Sequence, residues 1–185
     1  MFAFYLTFVA VIVAGLGARD QVTLARLTQA QGARPLALVV AIALAALTAA
    51  AAAYAAWLLA PQMLPRVRTV LAAIALAFAG LELLLVTPGR KPAEPTRSLF
   101  ALALVMGLQQ ATDAARFLVF AIGVGTNAPL AAGFAGATGG VALLVMAWLN
   151  PGIPLHRAVP LFRRIAGGAL VALGLWLWLR SIGFL

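Results

Sequence analysis

Residues 99–124 form an apolar run long enough to cross a bilayer, yet Gln109, Gln110, Asp113 and Arg116 stand inside it. A charged side chain at bilayer depth costs about 2.5–3.5 kcal/mol on the insertion scale, and such residues usually face a bundle interior or a solute path. On a helix these four positions fall at i, i+1, i+4 and i+7, which is one face. That face constrains the fold: it needs partners from other helices, so the run cannot stand alone in lipid.

The remaining apolar runs supply those partners. The chain has 185 residues, 65% of them hydrophobic and 9% charged. A soluble domain could not hide that much apolar surface, which makes the expected fold all-α and polytopic in a membrane. The runs are continuous and rich in Leu, Ala and Val, not alternating strands, so helices are expected over a barrel. Six spans are read: Phe2 past Ala18, Pro35 to Ala60, Val67 to Val86, Leu99 to Val124, Pro129 to Leu149, and Ile165 to Leu179. Residues 1–18 lack a basic leader and a clear cleavage site, and are read as the first span. A proline-rich, charged stretch at residues 88–98 divides a first three-helix unit, 1–87, from a second, 99–185.

Basic residues set the expected orientation. Arg26, Arg34, Arg90, Lys91, Arg97, Arg157, Arg163 and Arg164 lie in the loops after spans one, three and five, against Arg66, Arg68 and Arg180 on the other side. The positive-inside bias then places those loops in the cytoplasm and both termini outside. Three spans per unit invert one unit relative to the other. Each unit carries a polar interruption in its first helix, Arg19-Asp20-Gln21 in one and Gln109 to Arg116 in the other. Two inverted repeats with interrupted helices are a transporter pattern. Ala41, Ala45, Ala49 and Ala53 in the second span, and Ala132, Gly136 and Gly140 in the fifth, provide small-residue faces for close helix approach.

Several classes drop out. The net charge of +9 does not form an aromatic-interleaved basic patch, so nucleic acid is not an expected partner. There is no cysteine, which removes thiol chemistry. One histidine, two serines (Ser98 and Ser181) and no phosphate-binding glycine loop leave no expected enzyme activity and no expected cofactor. Glu82 reads as an interfacial acid near the inner end of its span, His156 as a solvated loop residue, and Trp148, Trp176 and Trp178 as interfacial anchors.

Residues 14–22, Ala-Gly-Leu-Gly-Ala-Arg-Asp-Gln-Val, resemble the first motif of the Gdt-type calcium/manganese–proton antiporters of the lysine-exporter superfamily. Those proteins carry Glu-x-Gly-Asp-Lys/Arg-Thr/Ser-Gln in the first helix of each of two inverted repeats. Gly17, Arg19 and Gln21 match, Gly15 and Ala18 replace the acids, and Asp20 stands at the Thr position. Residues 110–116 resemble the second motif more loosely, with Gln110 at the Glu position and Asp113 matching the Asp. The resemblance implies a transporter that moves Mn2+ or Ca2+ in exchange for protons, and compact size with minimal loops suggests a bacterial inner membrane. The resemblance also implies Asp113 as principal metal ligand or proton carrier, with Asp20 as a second metal-ligating acid. Gln109, Gln110 and Gln21 would lend amide oxygens, and Arg19 and Arg116 would restrain the carboxylates. Two other readings suit the same residues. One is a non-transporting membrane subunit whose small-residue faces join copies of itself or a second membrane protein. The other is an exporter of a small zwitterionic solute. In every reading the lipid bilayer is a partner.

Overall fold

The computed structural model describes residues 1–87 and 98–184, and all regular structure there is helical. The elements are α1 (Phe2–Gly15), α2 (Arg19–Gln31), α3 (Pro35–Leu59), α4 (Pro65–Leu85), α5 (Leu99–Ala111), α6 (Ala114–Gly125), α7 (Pro129–Leu149) and α8 (Val159–Ser181). A single 3-10 turn, Ala60–Gln62, extends α3. The expected linker at 88–98 lies outside the described residues apart from Ser98, and Arg90, Lys91 and Arg97 lie outside with it. Proline opens α3, α4 and α7, where its missing N–H costs no hydrogen bond. Ser98 opens α5 by accepting a hydrogen bond from the Ala101 amide at 3.3 Å.

Among the described residues, four helices are long and apolar enough to cross a membrane: α3 with its 3-10 extension, α4, α7 and α8. The pair α1 and α2 counts as a fifth crossing only if taken together across a 56° bend. The first and fourth expected spans are therefore not continuous helices. The first stops at Gly15, and Gly17 holds a φ of +71°, a left-handed backbone that favours glycine and ends the helix. The fourth stops at Ala111 and restarts at Ala114. There Asp113 leaves helical geometry and accepts from the Ala115 amide at 3.3 Å, capping the new helix. The polar residues that marked these stretches in the sequence are the residues that break them. The sixth span is longer than expected, because α8 begins at Val159 and carries Arg163 inside it.

Helices from the two sequence halves interleave. The bundle packs α1 on α7, α5 on α3, α3 on α7 and α4 on α8. The two small-residue faces meet each other. A Cβ placed on Gly133 would stand 2.6 Å from the Ala53 Cβ, and one on Gly140 would stand 3.7 Å from the Ala45 Cβ. The tightest helix pair, α4 with α8, uses glycines not singled out in the sequence. A Cβ on Gly80 would lie 2.6 Å from the Gly167 carbonyl oxygen, and one on Gly174 would lie 2.8 Å from the Ala73 carbonyl oxygen. Backbones that close leave no room for a side chain. On the same helix Gly168 faces open space.

Gly80→Val should lower the stability of the detergent-extracted protein by about 1–3 kcal/mol, the usual cost of overpacking. Gly168→Ala should leave it unchanged or raise it by up to about 1 kcal/mol through helix propensity. Thermal melts of the two variants in the same detergent check both values.

Candidate functional site

Each helix break exposes backbone groups that have no partner within their own helix. The chain covers these ends with arginines from elsewhere. Arg163 of α8 donates from Nη1 to the Ala14 carbonyl at 3.4 Å and the Leu16 carbonyl at 3.5 Å, closing the C-terminal end of α1. Arg19, at the start of α2, donates from Nη2 to the carbonyls of Gln109 at 3.3 Å and Thr112 at 3.1 Å, and to Thr112 Oγ1 at 2.8 Å. It closes the C-terminal end of α5. One carboxylate joins the two caps. Glu82 Oε2 accepts from Arg163 Nη2 at 3.1 Å, and Glu82 Oε1 lies 3.5 Å from Arg19 Nε. The Ala114 backbone amide faces the same carboxylate. Arg163 is only 2% exposed.

The second part of the cluster links α2 directly to α5. Asp20 Oδ1 accepts from its neighbour's amide, Gln21 N, at 2.8 Å, and Asp20 Oδ2 accepts from Gln110 Nε2 at 3.0 Å. Gln110 Nε2 also donates to the Ala41 carbonyl of α3 at 3.3 Å. Thr23 Oγ1 donates to Gln109 Oε1 at 3.1 Å. Gln21 folds back over the first break. Its Oε1 accepts from the Gly17 amide at 3.1 Å and its Nε2 donates to the Gly15 carbonyl. Asp20, Gln21, Gln110, Asp113, Arg116, Glu82 and Arg163 are all buried. Asp20, Glu82, Arg116 and Arg163 stand near enough to Asp113 to act on its charge.

The residues expected from the sequence thus converge, but their pairings differ from expectation. Arg19 does not restrain Asp20; its ion pair is with Glu82. Arg116 does not bridge Asp113. Its Nε donates to Thr48 Oγ1 of α3 at 2.7 Å, while the Asp113 carboxylate turns back to cap its own helix at the Ala115 amide. The Gln109 and Gln21 amide oxygens are already committed to Thr23 and Gly17. Both Asp20 oxygens are likewise committed. Glu82, expected as an interfacial acid, is buried between two arginines near the end of α4. Arg163, read as a loop cation, belongs to the same cluster. The one clue in the sequence was an acid isolated in an apolar span, which demands a counter-charge; that the counter-charge sits 81 positions away is set by packing. His156 is exposed in its loop, and its Nδ1 accepts from the Ala158 amide at 3.2 Å, apart from the cluster.

Three buried side-chain acceptors among the described residues lack a hydrogen bond, and one of them, Glu82 Oε1, is held in its ion pair with Arg19. The other two, Asp113 Oδ1 and Gln110 Oε1, remain open. Gln110 belongs to the last turn of α5, and Asp113 caps the N-terminus of α6, where the helix dipole favours negative charge. The formal charge of the cluster is balanced: Asp20, Glu82 and Asp113 against Arg19, Arg116 and Arg163. No group of three or more metal-ligating His, Asp or Glu side chains is gathered among the described residues. No family model, no curated protein and no solved structure matches the chain.

Removing one partner of a buried ion pair costs about 3–5 kcal/mol, because the other charge is left uncompensated. Glu82→Gln should therefore destabilise the protein by about that amount. The double variant Glu82→Leu with Arg163→Met should recover part of the loss. Melting temperatures of the single and double variants decide it; a single variant as stable as wild type would remove Glu82 from its central role.

Proposed function

We propose that the chain is a secondary transporter that moves a small cation across the membrane in exchange for protons, with Asp113 as the exchanging group. The observation that carries this reading is the open pair of acceptors, Asp113 Oδ1 and Gln110 Oε1, buried without a donor. A buried acceptor left unmade costs about 1–3 kcal/mol, so this pair calls for a proton or a cation. Asp113 cannot hold both at once. A proton on its carboxylate blocks the cation, and the cation displaces the proton, which is the minimum an exchanger requires.

The surroundings support a carrier over a storage site. Hard divalent cations take six or more oxygens with several carboxylates, and only two open oxygens stand here beside three guanidiniums. Mn2+ or Ca2+ would be held loosely, completed by water, and released readily. The interleaving of α1 with α7 and of α5 with α3 supports six crossings in two inverted repeats, with α1–α2 and α5–α6 as interrupted helices. Such helices place substrate sites near the midplane in many transporters. Asp20 and Arg19 act as positioning groups in this reading: they tie the two breaks together instead of binding the ion.

Proteoliposomes loaded with a divalent-sensitive dye test the proposal. Wild-type protein should admit Mn2+ and Ca2+ faster when a proton gradient is imposed across the vesicle. Asp113→Asn, which keeps the helix cap but cannot exchange a proton, should lower that flux by about tenfold or more while leaving the fold intact. Equal flux in wild type and variant would overturn the assignment of Asp113. No flux from folded wild-type protein would favour a non-transporting subunit.

A further inference from the structure

Arg116 is 6% exposed and forms no salt bridge among the described residues. Its one described hydrogen bond leaves Nε for Thr48 Oγ1. The two terminal nitrogens, Nη1 and Nη2, each stand 3.8 Å from where a Gly140 Cβ would be, so one edge of the guanidinium rests against α7. Asp113 and Asp20 are close enough to act on its charge, yet neither pairs with it, and Asp113 Oδ1 keeps its own open valence. A guanidinium away from water is costly unless its donors are met. The four N–H donors on its two terminal nitrogens have no described partner, and a guanidinium matches a carboxylate.

Arg116 also forms the polar end of a cavity of about 320 Å³ whose other walls are apolar, among them Ile74, Phe78, Ala111, Phe117 and Phe120. Ile74, Phe78 and Ala111 are exposed, which sets the mouth on the outer face of the bundle, where lipid lies. Phe78 and Phe117 stack with ring centres 5.9 Å apart beside it. The volume is at the low end for small-molecule pockets and too small for a two-chain lipid. A single anionic group on a short hydrocarbon body fits both the wall chemistry and the space.

We propose that this cavity binds a medium-chain monocarboxylic acid from the bilayer, its carboxylate on Arg116 and its hydrocarbon body against Ile74, Phe78 and Phe117. The assignment stands apart from the cation reading: a chain that moves Mn2+ and Ca2+ but ignores the acid loses only this proposal.

Decanoate is the probe. In a neutral detergent, decanoate should raise the melting temperature of the wild-type protein saturably, and decanol and decyltrimethylammonium should not. Arg116→Gln should need about tenfold more decanoate for the same shift, the loss expected for one charge-assisted contact. Ala111→Phe, at the exposed mouth, should weaken the response without touching the guanidinium, and it decides the matter if Arg116→Gln does not fold. The proposal is overturned if decanol stabilises as well as decanoate, or if either folded variant responds like wild type. Native mass spectrometry adds one more arm: a retained phospholipid that decanoate fails to displace would also overturn it.

Discussion

Backbone groups freed at a helix break inside a lipid-bounded bundle have to find partners, and much of the arrangement here follows from that need. Lipid offers no hydrogen bonds, so an interrupted helix survives only where protein supplies them. The ends of α1 and α5 are each met by a guanidinium drawn from a distant part of the sequence. Arg163 reaches α1 from α8, and Arg19 reaches α5 from α2. Both arginines then need a counter-charge, and both find it on Glu82 of α4. One carboxylate therefore links both breaks, and through them elements from both halves of the sequence.

This economy explains why the close packing of α4 against α8 matters. Glu82 sits two positions after Gly80 and next to Leu83, which also borders Gly167, and Arg163 sits one turn before Gly167. Without the near approach of those backbones, the 3.1 Å contact between Glu82 and Arg163 could not form. Small residues here do more than relieve crowding: they bring the helices close enough for a buried ion pair to repay its desolvation. The small-residue contact of α3 with α7 plays a matching part on the other side, where Ala41, Ala45 and Gly140 border Gln110 and Arg116.

Against that committed framework, the uncommitted atoms stand out. Asp20, Gln21, Gln109 and Arg19 spend their polar capacity on holding the breaks. Asp113 Oδ1, Gln110 Oε1 and the outer nitrogens of Arg116 do not. A cluster that satisfied every group would read as purely structural. Within the cluster, Glu82 Oε1 and Arg19 Nε also lack hydrogen bonds but face each other as an ion pair, so the acceptors left without any counter-charge or donor flank the α5/α6 break. Function is placed there and not at the α1/α2 break, where Gln21 closes the gap from both ends.

The sequence by itself determined the solvent, the helical class and the location of the polar interruptions. Continuous apolar runs permit little else in lipid, and polar residues inside them cannot be ignored by any fold. It also marked Asp113, Gln110 and Asp20 as residues that must meet something, and the α3 and α7 small-residue faces as contact surfaces. Periodicity could not show that Asp113 caps a new helix instead of continuing the old one, since a carboxylate at i−3 from an arginine suits either geometry. Nor could it join Glu82 to Arg163 or send Arg19 to Glu82 in place of its neighbour Asp20. Those pairings depend on which helices cross and how closely, a property of the whole bundle's packing that no local spacing encodes.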